Sequence, residues 1–94
     1  MAMEKRKVKK KALEKAYTYI RRRSLTERKM REAGNPKRWW HLAATFENAV
    51  VILVASGMSR HNAFFAVNSL EFCNEERMTK ENMLLNMAEI YEII

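Results

Sequence analysis

A chain of 94 residues holds one small domain, and 48% hydrophobic residues set it apart from disordered chains. Two glycines and one proline leave too few turns for a β-sandwich or barrel, and no glycine-rich loop is present to cradle a nucleotide phosphate. Eighteen Lys and Arg against eleven Asp and Glu give a net charge of +7, which points to a polyanionic partner.

The first helix is expected from about Glu4 to Arg23. Val8, Ala12, Ala16, Tyr19 and Ile20 recur at helical spacing, Leu13 and Tyr17 widen the stripe, and Lys and Arg fill much of the rest. Ser24 with Glu27 has the form of a capping box, so the chain either restarts a helix at Leu25 or runs through as one long helix. Gly34 is the stop, since it accepts left-handed φ after a helix. Asn35-Pro36 then marks a boundary, with Asn as N-cap and Pro at the first helical position.

A second helix is expected from Pro36 to Ser56. It carries Trp39, Trp40, Leu42, Phe46, Val50 and Leu53 and is apolar nearly all round, as the buried centre of a fold would be. Gly57 ends it. Ser59 caps a third helix over about Arg60 to Asn74, which places Ala63, Ala66, Val67 and Leu70 on one side. Phe64, Phe65 and Phe72 exceed what one face needs, and a dimer mate is the simplest cover for them. Thr79 caps a fourth helix over about Lys80 to Ile94, with Met83, Leu84, Met87, Ile90, Tyr91 and Ile94 as its stripe. No strand pattern of useful length is visible. The fold class is therefore all-α, a bundle of three to four helices.

Residues 1–40 hold 15 Lys and Arg against 4 acids, and residues 41–94 hold 3 against 7. The chain thus divides into a basic helical arm, 1–34, and a hydrophobic core and dimerisation region, 35–94. The arm and its continuation supply the expected nucleic-acid contacts: Lys5, Arg6, Lys7, Lys9, Lys10, Lys11, Arg21, Arg22, Arg23, Arg28, Lys37 and Arg38. Lys37 and Arg38 stand in the first turn of the second helix, where the macrodipole disfavours cations, so they call for an anion or an acidic neighbour. Binding through such residues would be electrostatic and steeply salt-dependent. Phe64, Phe65, Leu70, Met83, Met87, Ile90 and Tyr91 are the expected dimer interface. Trp39 and Trp40 are expected to pack against the first and fourth helices, with at least one buried; base stacking is the rival role. Leu53 to Val67 has helix-turn-helix spacing, but a Phe pair on the second helix reads base edges poorly, so a plain helical hairpin is the stronger reading.

Catalysis and metal binding find little support. His41, His61 and Cys73 match no zinc spacing, and Cys73 falls near a helix C-terminus, where the dipole raises a thiol pKa. No cofactor and no enzymatic activity are expected. A lone cysteine forms no internal disulfide and suits a reducing, cytoplasmic setting. The longest unbroken apolar run, Ala49 to Ala55, is too short to span a membrane, and no signal peptide or membrane partner is expected.

Glu47-Asn48-Ala49-Val50, then Leu53, then Ser56-Gly57, resemble the central helix and stop of the AriR/YmgB biofilm-development and acid-resistance family. Asn62, Phe64, Phe65 and Leu70-Glu71 are similar to the family's next helix, and Leu84 or Leu85 with Glu89-Ile90 to its last. The resemblance covers 47–94, needs a short gap after Gly57 and does not extend to the basic arm. It implies a small dimeric regulator, since that family consists of small enterobacterial all-α homodimers implicated in DNA binding and in connecting to a response regulator of the envelope-stress phosphorelay; a bacterial or phage protein of transcription regulation is expected. The remaining expectation is a protein-interaction module, a connector or mobile-element inhibitor, whose arm grips an acidic partner protein.

Overall fold

A computed structural model describes residues 5–94. The elements are β1 (Arg6–Val8), α1 (Lys10–Glu32), α2 (Arg38–Ala55), α3 (Arg60–Glu75), α4 (Lys80–Ala88) and β2 (Tyr91–Ile93). The fold is all-α, with one small parallel pair of strands in which Arg6 faces Tyr91 and Val8 faces Ile93.

α1 is a single rod of 23 residues, about 34 Å long at 1.5 Å per residue. It does not restart at Ser24, whose hydroxyl donates to the Arg21 carbonyl at 2.8 Å instead of capping. The expected start at Glu4 lies outside the described residues; the helix begins at Lys10 because the preceding residues enter β1. The same pairing ends the fourth helix at Ala88, six residues before the expected Ile94. The Ile94 N–H donates to the Val8 carbonyl at 2.9 Å and the Lys10 N–H to the Ile94 carbonyl at 3.0 Å, so the two ends satisfy one another's backbone. Val8 and Tyr91 are buried there, and that burial favours strands over another helical turn.

Three helices end alike. Gly34 (φ 66°), Gly57 (φ 115°) and Arg77 (φ 55°) are left-handed, and each is followed by a 6→1 backbone bond: Asn35 to Met30, Met58 to Leu53, and Met78 to Cys73. These are Schellman closures. Ser59 and Thr79 cap α3 and α4 by accepting from the Asn62 and Asn82 N–H groups. Asn35 accepts from the Lys37 N–H at 2.9 Å, capping a short turn that leads into α2 two residues later than expected.

The core is one cluster. Ala12, Leu13, Ala16, Tyr17 and Ile20 of α1 are buried with Leu53, Val67, Leu70, Cys73, Met83 and Met87. The first half of α1, the expected basic arm, therefore forms the axis of the fold. The expected boundary at residue 34 falls in a tight turn between packed helices. α2, expected at the centre, lies at the side: only Thr45, Ala49, Val50 and Leu53 are buried, and Val51 and Val54 face outward. It has neighbours on too few sides to bury an apolar face all round. Leu70, Met83, Met87 and Tyr91 are likewise removed from the expected dimer seam. They are at most 4% exposed inside one chain and leave no surface for a partner. Phe64, Phe65 and Ile90 stay about half exposed.

Tyr17 locks α1 to the far end of the bundle. Its hydroxyl donates to the Met78 carbonyl at 2.6 Å, with the Cys73 carbonyl at 3.1 Å as a second acceptor. Burial pushes its pKa up, against the pull of the Arg21 guanidinium.

Candidate nucleic-acid interface

From Arg21 to Ala44 no residue is buried. Beyond the core, the end of α1 and the start of α2 continue as a two-helix hairpin, and the molecule is accordingly long, 50 × 24 × 23 Å. This tip carries eight Lys and Arg against two Glu.

The tip cations fall into two groups. Arg21, Arg23 and Arg38 are engaged. Arg21 donates to the Met78 carbonyl at 3.1 Å, and Arg23 donates to the Thr45 hydroxyl at 3.1 Å and lies over the Tyr19 ring. Arg38 pairs with Glu27 at 3.0 Å in a largely covered site. Its guanidinium also stacks 4.1 Å from the Trp39 ring centroid. Glu27 is thus the acidic neighbour that the first turn of α2 calls for, and it comes from α1. Among the described residues, Arg22, Arg28, Lys29, Arg31 and Lys37 are exposed and make no side-chain hydrogen bond or ion pair.

The remaining cations sit at the other end of α1. Lys5 donates to the Ala88 carbonyl at 2.8 Å and so caps the C-terminus of α4. Arg6 and Lys7 flank it on β1, while Lys9, Lys10 and Lys11 crowd the N-terminus of α1, where no acid offsets them. The two groups are not brought together: from Lys10 to Arg28 α1 rises about 27 Å. What joins them is a ridge that site reading missed. Lys11, Lys15, Arg22 and Lys29 recur at i, i+4, i+11 and i+18, on the face of α1 turned away from Leu13, Ala16 and Ile20. The signal was present as helical spacing of cations, the counterpart of the apolar stripe.

The tryptophans depart from expectation. Trp39 is 61% and Trp40 81% exposed, and neither packs in the core. The hairpin outruns α3 and α4 at this point, so no element is there to cover them.

His41 is enclosed between the tip helices. Both ring nitrogens are buried without a hydrogen-bond partner. Burial pushes its pKa down; Arg23 adds to this and Glu27 opposes it. Beside the hairpin a cleft of about 710 Å³ is lined by Arg21, Arg28, Arg31 and Arg77, and also by Glu71 and Glu75. Burial, then Glu75, raises the Glu71 pKa. This mixed lining makes the cleft a weaker anion site than the open ridge.

A second exposed feature lies on α2 and α3. The Phe46 and Phe64 rings meet edge to face at 4.8 Å, Phe65 lies 6.0 Å from Phe64, and His61 lies 4.9 Å from Phe65. Glu47 and Arg60 pair beside them at 2.6 Å, in solvent. Cys73 is a buried free thiol whose pKa is raised by burial. Among the described residues, no three His, Cys, Asp or Glu side chains gather as metal ligands. No described helix is long and apolar enough to cross a membrane.

No known family matches the chain, and no curated protein or solved structure matches it.

Proposed function

We propose that the protein is a small non-enzymatic regulator of the cytoplasm that binds nucleic acid, DNA in the first instance, through the cationic ridge of α1 and the hairpin tip, and works as a homodimer. The observation that carries the reading is the unburied tip, eight Lys and Arg against two Glu, with five of its cations unengaged. Like charges gathered without local partners destabilise a fold slightly and attract phosphate strongly. The resemblance of residues 47–94 to the AriR/YmgB family fits the same reading. In the dimer, the exposed Phe64, Phe65 and Phe72 of α3 take the place of the buried Leu70, Met83, Met87 and Tyr91.

The test is binding of nuclease-treated protein to labelled DNA by anisotropy across a salt series. Replacing Arg22, Lys29 and Lys37 together by Gln removes three phosphate contacts and lowers the salt slope by about 2.7 on duplex DNA. Arg38→Gln lowers it far less, because its charge is already matched by Glu27. Equal effects from the two variants, or an unchanged slope in both, refute the assignment. The exposed aromatic cluster of α2 and α3 also favours a second reading, a connector or inhibitor that holds an acidic protein. A protein partner retained after nuclease treatment, with no DNA binding at low salt, selects it.

A further inference from the structure

We infer that Trp40 is a stacking platform for an unpaired base, so that the tip prefers single-stranded polynucleotide to duplex. The inference rests on the nucleic-acid reading above and names the form of nucleic acid bound.

Trp40 is the most exposed large apolar residue among the described residues, at 81%. It stands on the outward face of α2, opposite the buried Ala49 and Leu53. Its ring adds little to the packing of the fold, and the exposed cations around it make the surface one that suits a polyanion with aromatic bases. Its helical neighbours one turn away are Lys37 on one side and Ala43 and Ala44 on the other. Ala43 and Ala44 leave the ring uncovered on their side, the ring as a whole is 81% exposed, and Lys37 supplies a charge next to it. A flat ring beside an ammonium matches a base beside its phosphate. The absence of bulky aliphatic residues one turn away also leaves Trp40 without the water-excluding surround of a protein hot spot. A second copy of the chain is a poor occupant, because it brings the same cationic tip.

Trp39 differs. One face of its ring is covered by the Arg38 guanidinium at 4.1 Å, which Glu27 holds in place. Adjacent helical positions diverge by about 100°. The two indoles therefore do not stack on one base; Trp39 with Arg38 forms a rigid shoulder and Trp40 the open platform.

The stacking is read on the full chain. The chain has two tryptophans and both are at the tip, so indole emission reports on this surface alone. Oligo(dT), oligo(U) and a duplex of equal length are compared at the same salt. The expected result is quenching by both single strands and tighter binding to them than to duplex. Trp40→Ala weakens single-strand binding about tenfold, the effect of one lost stack, and Trp40→Tyr restores most of it. Duplex binding changes less than twofold. Quenching by only one of the two strands supports the platform and shows which of the two it takes. If Trp40→Ala weakens single strand and duplex alike, or neither, the inference falls while the electrostatic reading stands. If nothing binds at low salt, both fall. If emission shifts to the blue on concentrating the protein alone, a second copy covers the ring and the inference falls. Far-UV circular dichroism checks that the variant is folded.

Discussion

Tyr17→Phe removes one hydroxyl from the centre of the molecule and leaves its ring in place. The Tyr17 hydroxyl reaches the Met78 carbonyl at 2.6 Å and the Cys73 carbonyl at 3.1 Å. Neither acceptor is orphaned by the change. The Cys73 carbonyl keeps the Met78 N–H at 3.0 Å, and the Met78 carbonyl keeps the Arg21 guanidinium at 3.1 Å. The expected cost is therefore that of one ordinary hydrogen bond, about 1 kcal/mol, and not the larger penalty of a buried unpaired acceptor. Arg21→Ala alone loses an exposed bond and a ring contact at 5.6 Å, so it costs about 0.5 kcal/mol. The double variant is different, because the Met78 carbonyl then has neither partner. It exceeds the sum of the single changes by about 1 kcal/mol. Urea unfolding followed by far-UV circular dichroism measures all three, with the slope m held as a check on the unfolded state. A Tyr17→Phe cost above about 2.5 kcal/mol, or strict additivity, refutes the account of shared acceptors.

Arg77 holds a left-handed φ of 55° at the end of α3, where the other two closures use glycine. Arg77→Gly is expected to raise stability by about 0.5 kcal/mol, the relief of strain less the added freedom of the unfolded chain; a lower melting temperature contradicts it. Met83→Ala is expected to cost about 2–5 kcal/mol, the same at every protein concentration, as befits a residue buried within one chain. A cost that vanishes on dilution returns Met83 to a dimer seam. His41 has its pKa lowered by burial, so its neutral form belongs to the folded state. The stability it protects is present above the ordinary histidine pKa and is lost as pH falls through the lowered one. His41→Leu is expected to reduce that acid loss, read as the urea midpoint from pH 7 to pH 5; an unchanged acid profile places the loss elsewhere.

The local signals of this chain were legible where one residue type answers one geometric need. Gly34 and Gly57 announced two helix ends, and Ser59 and Thr79 announced two starts. The end of α3 was not announced, because Arg77 is no usual left-handed residue. The β1–β2 pair was hidden for another reason. Three residues are too few for alternation, and Tyr91 and Ile94 also satisfy the helical period of α4. The cationic residues were legible as a charge excess. Which of them are engaged was not. Glu27 and Arg38 are eleven positions apart on different helices, and their pairing follows only from the angle of the hairpin. The exposure of Trp40 was similarly out of reach, since it depends on α3 and α4 stopping short of the tip.

The clasp between β1 and β2 has a kinetic meaning. Its partners are separated by nearly the whole chain, and closing so long a loop carries an entropy cost of several RT that only a few backbone bonds and the packing of Val8 and Tyr91 repay. The α1–α2 hairpin needs only a tight turn. Helices α1, α2 and α3 therefore have the means to condense first, and the two ends zip together last. By microscopic reversibility the ends also part first. Amide exchange should find the Ile94 and Lys10 N–H groups open long before those around Leu53 and Leu70. The basic N-terminal segment, Lys5 to Lys7, is thereby held by contacts that close late and open early.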